Sequence, residues 1–168
     1  MKSIEIIDNF FDSFDNIKEA FKSIPVYRID EYKRRQGVGN YGKDTHFPGK
    51  RSESLHRTHP FLFNLILKEV FSKINRGGFK EINLDCSVHL RLGEDKDKDV
   101  VHADNALNLL VYLSDTNFES GTAFYEENER TPYLKVPFIQ NSAVLFPNRI
   151  FHKSILNYGQ DVNNGRLT

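Results

Sequence analysis

The chain has 168 residues, of which 39% are hydrophobic and 27% charged, a composition typical of one globular domain with its own core. Its 23 basic and 23 acidic side chains balance, which disfavours duplex nucleic acid as a partner. Cys86 is the only cysteine, so no internal disulfide forms, as is typical of a reducing compartment. No signal-peptide core is present, and no apolar run reaches the roughly 20 residues of a membrane helix. We therefore expect a cytoplasmic protein without a membrane partner.

The sequence begins with signals for a short strand and a helix. Ile4–Ile7 is predicted to be a strand that leads into the helix. The polar segment Asp12–Asn16 offers several N-cap residues, and apolar residues follow it at helical spacing. Pro25 is predicted to end this helix, because proline cannot continue the hydrogen-bond ladder.

Residues 28–59 differ in character, because they are polar, basic and punctuated by glycine. Their stretch 34–42 has neither helical nor strand periodicity and is predicted to be a long loop, of a length that is often functional. A second helix is predicted to follow Pro60 and to end at the glycine pair 77–78.

From residue 79 onward the hydrophobic period changes to two. Apolar residues from Ile82 to Leu92 alternate with polar ones, which is the clearest strand pattern in the chain. Shorter strands separated by turn residues are predicted at residues 107–113, 121–126, 134–139, 143–147 and 149–155. This order predicts a mainly β fold with N-terminal helices packed outside, and a double-sheet roll suits the number of strands. We expect one domain over residues 1–168, in which residues 1–78 support a β-roll core at residues 79–168.

Three side chains predict a metal site. His102 and Asp104 are two residues apart, so in an extended segment both face the same side and can bind one ion. His152 follows a turn on an otherwise apolar strand. A histidine-x-aspartate pair is common by chance, and a lone strand histidine is more often a core residue, but the combination favours ligation. Two imidazoles and one carboxylate suit Fe(II) or Mn(II) and leave coordination positions open.

Arg166 and Thr168 predict a site for a carboxylate. The planar fork of an arginine matches a carboxylate, and Thr168 faces the same side and can add a hydroxyl. A surface arginine in a flexible tail is the alternative, but the position of Arg166 after His152 favours the carboxylate site.

The combination of His102-x-Asp104, Gly121–Phe124, His152 and Arg166-x-Thr168 resembles the Fe(II)/2-oxoglutarate-dependent dioxygenases, in particular their small prolyl-hydroxylase-like branch. The resemblance covers about residues 80–168. It implies a double-stranded β-helix, which is a jelly-roll or cupin-like fold, and hydroxylation coupled to decarboxylation of 2-oxoglutarate to succinate. It also implies that His102, Asp104 and His152 hold Fe(II), that Arg166 and Thr168 hold 2-oxoglutarate, and that ascorbate serves as a reductant.

The resemblance further implies that Asn108 and Tyr112 contact 2-oxoglutarate from the strand that follows the first ligands. Tyr112 could equally be a core aromatic. On the strand before the ligands, the even-numbered apolar residues are expected to pack outward, so that His89 and Arg91 face the pocket. A solvated sheet face is the alternative for these two.

The substrate is not identified by the sequence. The loop between Tyr27 and His59 carries basic and aromatic side chains that suit an anionic or peptide substrate, and a flexible solvated loop fits the pattern equally. The leading hypothesis is a hydroxylase of a protein side chain or a small molecule. The alternatives are a cupin-like metalloenzyme that does not use 2-oxoglutarate and a non-enzymatic metal-binding module.

Overall fold

A computed structural model of the chain describes residues 3–36, 47–74, 84–95 and 100–168. Within these residues the fold is mainly β, with nine strands in three small antiparallel sheets and four helices. The strands are β1 (Glu5–Ile7), β2 (Lys50–Arg51), β3 (His89–Arg91), β4 (Asn108–Val111), β5 (Asn117–Tyr125), β6 (Leu134–Phe138), β7 (Ala143–Phe146), β8 (Phe151–Ser154) and β9 (Arg166–Leu167). The helices are α1 (Phe14–Lys22), α2 (Ile29–Gln36), α3 (Leu55–Thr58) and α4 (Pro60–Lys73). In the part of the chain so described, no helix combines the length and the apolar character needed to cross a membrane.

Two of the sheets join edge to edge. Their strand orders are β1-β7-β4 and β2-β3-β9, and the amide of Leu113 donates a 2.9 Å hydrogen bond to the carbonyl of Leu167 between them. We call these strands together the main layer. The third sheet, β6-β5-β8, forms the second layer, and an antiparallel bridge between His102 and His152 adds an extended segment to its β8 edge.

The two layers pack face to face through a largely aromatic core. Because side chains alternate along a strand, β4 and β7 each send every second residue into this space. The buried residues of the core are Tyr112, Phe124, Val136, Phe138, Val144, Phe146 and Ile150. Tyr112 and Phe138 stack with ring centroids 4.4 Å apart, which fixes one layer against the other.

The N-terminal helices cover the opposite face of the main layer. Val88, Leu90 and Leu92 face this side, as the alternation of the sequence predicts, and Leu167 of β9 joins them. Their partners from the N-terminal segments are Phe10, Phe11, Phe14, Phe21, Ile24, Leu55 and Leu62. The main layer is therefore buried on both faces, and the second layer has only one face in the core between the layers.

The prediction of a long loop at residues 34–42 was wrong at its start. Helix α2 occupies Ile29–Gln36, with acidic residues in its first turn and basic residues in its last, an arrangement that complements the helix dipole. Arg35 also pairs with Glu31 one turn earlier, at 3.0 Å. The remainder of that predicted loop, residues 37–42, lies outside the described residues.

The long strand predicted at residues 82–92 was too long. Only His89–Arg91 forms a strand, while residues 84–88 bond irregularly to the chain around Ser52 and Leu55. The other predicted strands form with shifted ends, and β5 begins four residues before the predicted position 121. Helix α4 ends at Lys73, and the predicted stop at 77–78 falls outside the described residues.

Candidate metal centre and adjoining cationic region

Three ligand-type side chains converge at one end of the space between the layers. One nitrogen or oxygen atom from each of His102, Asp104 and His152 lies within 4.8 Å of the other two. Asp104 lies 3.6 Å from His152 Nε2 and 4.0 Å from His102 Nε2, each measured to its nearer carboxylate oxygen. The structure thus brings together the three residues that the sequence singled out, although 50 positions separate His102 from His152.

Backbone pairing holds the three residues in place. His102 and His152 exchange two backbone hydrogen bonds, of 3.1 and 2.8 Å, and their ring centroids lie 4.4 Å apart. The carbonyl of Asp104 accepts a hydrogen bond of 2.8 Å from the amide of Arg149, in the turn before β8. The ligands are therefore attached to the edge of the second layer by the main chain, and not by their side chains alone.

The hydrogen bonds of the two histidine rings fix which nitrogen carries the proton. His102 Nδ1 lies 2.9 Å from the carbonyl oxygen of Val100, and His152 Nδ1 lies 3.0 Å from that of Ile150. A carbonyl oxygen can only accept, so each Nδ1 carries the hydrogen. In a neutral ring Nε2 then offers a lone pair, and in both rings Nε2 is the nitrogen nearer Asp104.

Exposure differs across the three ligands. The side chain of His152 is 8% exposed, whereas those of His102 and Asp104 are 56% and 42% exposed. Burial lowers the pKa of His152; the hydrogen bond to Ile150 and the carboxylate of Asp104 oppose this effect, and His102 adds to it. Phe146 lies against the His152 ring at 4.7 Å between centroids. The centre has one wall in the core and one side open to solvent.

This donor set fits a divalent transition metal. Two imidazoles with free Nε2 lone pairs and one carboxylate are the ligands of a facial triad, and each imidazole has the second hydrogen bond that metal-binding histidines usually make. The set contains no thiolate, and Cys86 belongs to the helical side of the main layer. The residues therefore fit the iron implied by the resemblance, and they fit manganese equally well.

Arg166 and Thr168 lie on the inner face of the main layer, beside His89 and Arg91. Register places Arg166 opposite Arg91, and Thr168 exchanges backbone hydrogen bonds of 2.7 and 2.9 Å with His89. Arg166 and Arg91 are only 3% and 1% exposed. Both side chains are buried cations, and a carboxylate within reach of either guanidinium could form a charge-assisted hydrogen bond with it.

The aromatic core connects this cationic region with the metal centre. The guanidinium carbon of Arg166 lies 5.6 Å from the centre of the Phe138 ring, which in turn stacks on Tyr112. At the other end, Phe146 contacts both Phe124 and His152. Both groups of polar residues therefore border one core, between the same two layers.

Tyr112 and Asn108 lie on the inner face of the same strand region, as expected, but their present contacts are local. Tyr112 is fully buried, and its hydroxyl lies 2.8 Å from that of Thr122 on β5. Burial raises the pKa of Tyr112, while the hydrogen bond to Thr122 and the charge of Arg166 lower it. Asn108 donates to the carbonyl of Ala106 at 3.1 Å and sits at the open end of β4.

The sequence interpretation grouped Arg51 with the basic residues of the loop between Tyr27 and His59 and did not place it beside the strand of His89. Arg51 pairs in register with His89, which places both on one face, and its guanidinium lies over the ring of Phe47 at 5.0 Å. His89 Nε2 donates to the carbonyl of Pro48 at 2.6 Å, which fastens this segment over the strand. Only the pairing of β2 with β3, which sequence alone does not reveal, places Arg51 there.

Neither the comparison with protein-family models nor that with curated proteins gives a match to this chain.

Proposed function

We propose that the protein is an Fe(II)- and 2-oxoglutarate-dependent dioxygenase that hydroxylates a small molecule or a protein side chain. The observation that carries the proposal is the convergence of His102, Asp104 and His152, with both Nδ1 atoms bonded to the backbone. A cationic region beside the same core gives the proposal its cosubstrate, because 2-oxoglutarate carries a carboxylate at each end.

The strand order supports a double-stranded β-helix. From β3 onward the chain visits the main layer, the second layer at His102, the main layer at β4, and the second layer at β5 and β6. The chain then passes back to the main layer at β7, to the second layer at β8, and to the main layer again at β9. Repeated passage between two facing sheets is the arrangement of a jelly roll.

In this proposal, one group of residues binds the iron and another binds 2-oxoglutarate. His102, Asp104 and His152 would hold the iron, which when bound supplies activation of dioxygen. Arg166 would bind the distal carboxylate of 2-oxoglutarate through its fork of donors, with the Thr168 hydroxyl and Tyr112 beside it. Phe124, Phe138 and Phe146 are fully buried between the two groups, and such a dry environment would strengthen an ionic contact to a bound carboxylate.

The overall reaction balances without a further oxidant. One oxygen atom of dioxygen enters the substrate as a hydroxyl group in place of a C–H hydrogen. The other enters the carboxylate of succinate as 2-oxoglutarate loses carbon dioxide. Ascorbate would only keep the iron reduced between turnovers.

The test is succinate formation from 2-oxoglutarate by the purified protein with Fe(II), ascorbate and oxygen, without added substrate. Slow uncoupled turnover is expected, and the His152→Ala variant should reduce it to background. His56→Ala is the matched control, because His56 lies on exposed α3. If succinate does not form, binding of 2-oxoglutarate to the Mn(II)-loaded protein decides the outcome. If 2-oxoglutarate fails to bind while Mn(II) binds, the proposal is rejected in favour of a cupin-like metalloprotein.

The carboxylate site has its own test. Replacing Arg166 by alanine should raise the 2-oxoglutarate concentration needed for half-maximal turnover about 10- to 150-fold, since a charge-assisted contact is worth roughly 1.5–3 kcal/mol. Arg166→Lys should recover only part of this loss, because lysine keeps the charge and loses the fork. Arg130→Ala, at an exposed position, serves as control. An unchanged requirement in the folded alanine variant would place the carboxylate elsewhere.

A further inference from the structure

One buried side chain bonds the chain on both sides of Arg166. Ser114 lies shortly after β4 and is 4% exposed. Its hydroxyl donates to the carbonyl of Gly165 and accepts a hydrogen bond of 2.8 Å from the amide of Leu167. Gly165 and Leu167 are the two neighbours of Arg166 in the sequence. Ser114 therefore holds the backbone of Arg166 from both directions along the chain.

The backbone of β9 is bonded differently on its two edges. Thr168 exchanges two hydrogen bonds with β3, and residues two apart point the same way, so Arg166 also directs its N–H and C=O groups toward β3. The groups of Gly165 and Leu167 point to the opposite edge. There the Gly165 carbonyl and the Leu167 amide bond to the hydroxyl of Ser114. A side chain thus takes the part of a neighbouring strand at this position.

The side chain of Arg166 reaches from β9 into the space between the layers. Its guanidinium carbon lies 5.6 Å from the centre of the Phe138 ring, and one terminal nitrogen lies 3.5 Å from the carbonyl oxygen of Gly121. The residue is buried. A fork of two donors binds a carboxylate well only when it is held within about 0.5 Å of the required position. A displacement of the backbone at Arg166 would therefore weaken that contact.

A second buried serine has the same bonding pattern, but its partners lie outside β9. The hydroxyl of Ser52 donates to the carbonyl of Glu53 at 2.8 Å and accepts a hydrogen bond of 2.9 Å from the amide of Val88. Removal of either hydroxyl leaves one amide and one carbonyl without that partner, so the two losses should cost similar stability. Only the loss at Ser114 falls on the residues that flank Arg166.

We propose that Ser114 is a positioning residue whose hydroxyl fixes the guanidinium of Arg166 in the orientation that receives a carboxylate. The proposal rests on the role given to Arg166 above, and Ser114 acts through β9 and not by contact with 2-oxoglutarate. Its effect therefore lies in the affinity for 2-oxoglutarate and in the mobility of the guanidinium. The rate of turnover at saturating 2-oxoglutarate does not depend on it.

The test compares Ser114→Ala with Ser52→Ala in the uncoupled turnover assay and in nuclear magnetic resonance relaxation of the Arg166 Nε–H group. Ser114→Ala should raise the 2-oxoglutarate concentration needed for half-maximal turnover about 3- to 10-fold, the loss expected for one hydrogen bond, with kcat changed less than about twofold. It should also lower the order parameter of the Arg166 Nε–H group. Ser52→Ala should lower the thermal midpoint by a similar amount and change neither the 2-oxoglutarate requirement nor the order parameter.

Two results would overturn the proposal. An unchanged order parameter in Ser114→Ala, or equal changes in both variants, would mean that Ser114 has no specific hold on Arg166. An Arg166 Nε–H group as mobile in the parent protein as that of exposed Arg130 would mean that nothing fixes the guanidinium, and this measurement needs no folded variant. The order parameters are measured without metal or 2-oxoglutarate. If the parent protein does not bind 2-oxoglutarate, the enzymatic proposal fails, and the order parameters still decide whether Ser114 positions Arg166.

Discussion

The histidines of the candidate metal centre are oriented by hydrogen bonds to the backbone, without any bound ion. Each ring donates to a carbonyl two residues earlier in the chain, at 2.9 Å for His102 and 3.0 Å for His152. The carboxylate of Asp104 is half-exposed, in contrast to the buried ring of His152. Loss of the carboxylate should therefore affect ion binding much more than folding.

Replacing Asp104 by alanine should weaken Mn(II) binding by at least about 100-fold, because loss of supporting hydrogen bonds alone costs 10- to 100-fold and a ligand contributes more. The thermal midpoint without metal should change little. Electron paramagnetic resonance of free Mn(II) measures the affinity. Glu127→Ala, at an exposed position, is the control. A variant that binds Mn(II) like the parent would remove Asp104 from the ligand set.

A second prediction for a single residue concerns His89 and the pH dependence of the free energy of unfolding. Burial, and then the charge of Arg51, lower the pKa of His89 to about 3 in the folded chain, against about 6.5 when unfolded. Below pH 6.5 the unfolded chain takes up a proton that the folded chain does not. The free energy of unfolding therefore falls as the pH is lowered, by up to about 1.4 kcal/mol per pH unit.

Between pH 7 and pH 5, His89 should remove up to about 2 kcal/mol of stability. Urea unfolding of the parent and of His89→Gln at both pH values measures the effect, since glutamine can still donate to the carbonyl of Pro48. The variant should lose less stability than the parent over this interval. Equal losses in the two proteins would show that His89 becomes protonated in the folded chain.

At the scale of elements, β5 carries an irregularity close to Arg166. Its pairing with β6 shifts between Asn117 and Gly121, and Gly121 has a φ of +144°, which favours glycine. Its carbonyl accepts the amide of Ile155 at 3.0 Å, and the Arg166 guanidinium lies 3.5 Å from the same oxygen. The bulge thus links the second layer to the cationic region of the main layer.

Replacing Gly121 by alanine should destabilise the protein by roughly 1–3 kcal/mol or more, because a Cβ there would overlap the carbonyl oxygen of Val136. Thermal or urea unfolding measures the loss, with Glu119→Ala on the exposed part of the same strand as control. A loss no larger than that of the control would mean that the bulge relaxes at no cost.

At the scale of the whole molecule, the main layer is shared between two cores. The helical side and the space between the layers meet at β4 and β7, whose alternate residues belong to each. Asn141, in the turn before β7, reinforces the connection by bonding Phe11 through both its side-chain oxygen and its nitrogen, at 2.9 Å each. We therefore expect the helices and the strands to unfold together.

Replacing Phe21 of α1 by alanine should cost about 3–5 kcal/mol, because its side chain is buried and contacts Phe11. Unfolding in urea should remain a single transition, with far-ultraviolet and near-ultraviolet circular dichroism changing together at a lower midpoint. Phe71→Ala, which removes an exposed ring, should have little effect. Two separated transitions would mean that α1 and its neighbours form an independent unit.

Local patterns were sufficient for several elements. The short strand at the N-terminus, α1, the start of α4 and four of the five later strands formed close to their predicted positions, because each has a clear period and turn residues at its ends. Helix α2 was missed although its charges are arranged for a helix. The strand from Ile82 was overpredicted, because alternation describes the side chains and not whether a neighbouring strand is present to bond the backbone.

The sequence by itself determined the chemistry that is available: two imidazoles, a carboxylate and an arginine in an order that resembles a known enzyme family, on a mainly β framework. Only the tertiary structure decided which of them meet. The bridge between His102 and His152 arises from pairing between segments distant in sequence, and so do the registers of Arg51 with His89 and of Arg91 with Arg166. Such pairing depends on the packing of whole layers, because no local pattern specifies which strand lies next to which.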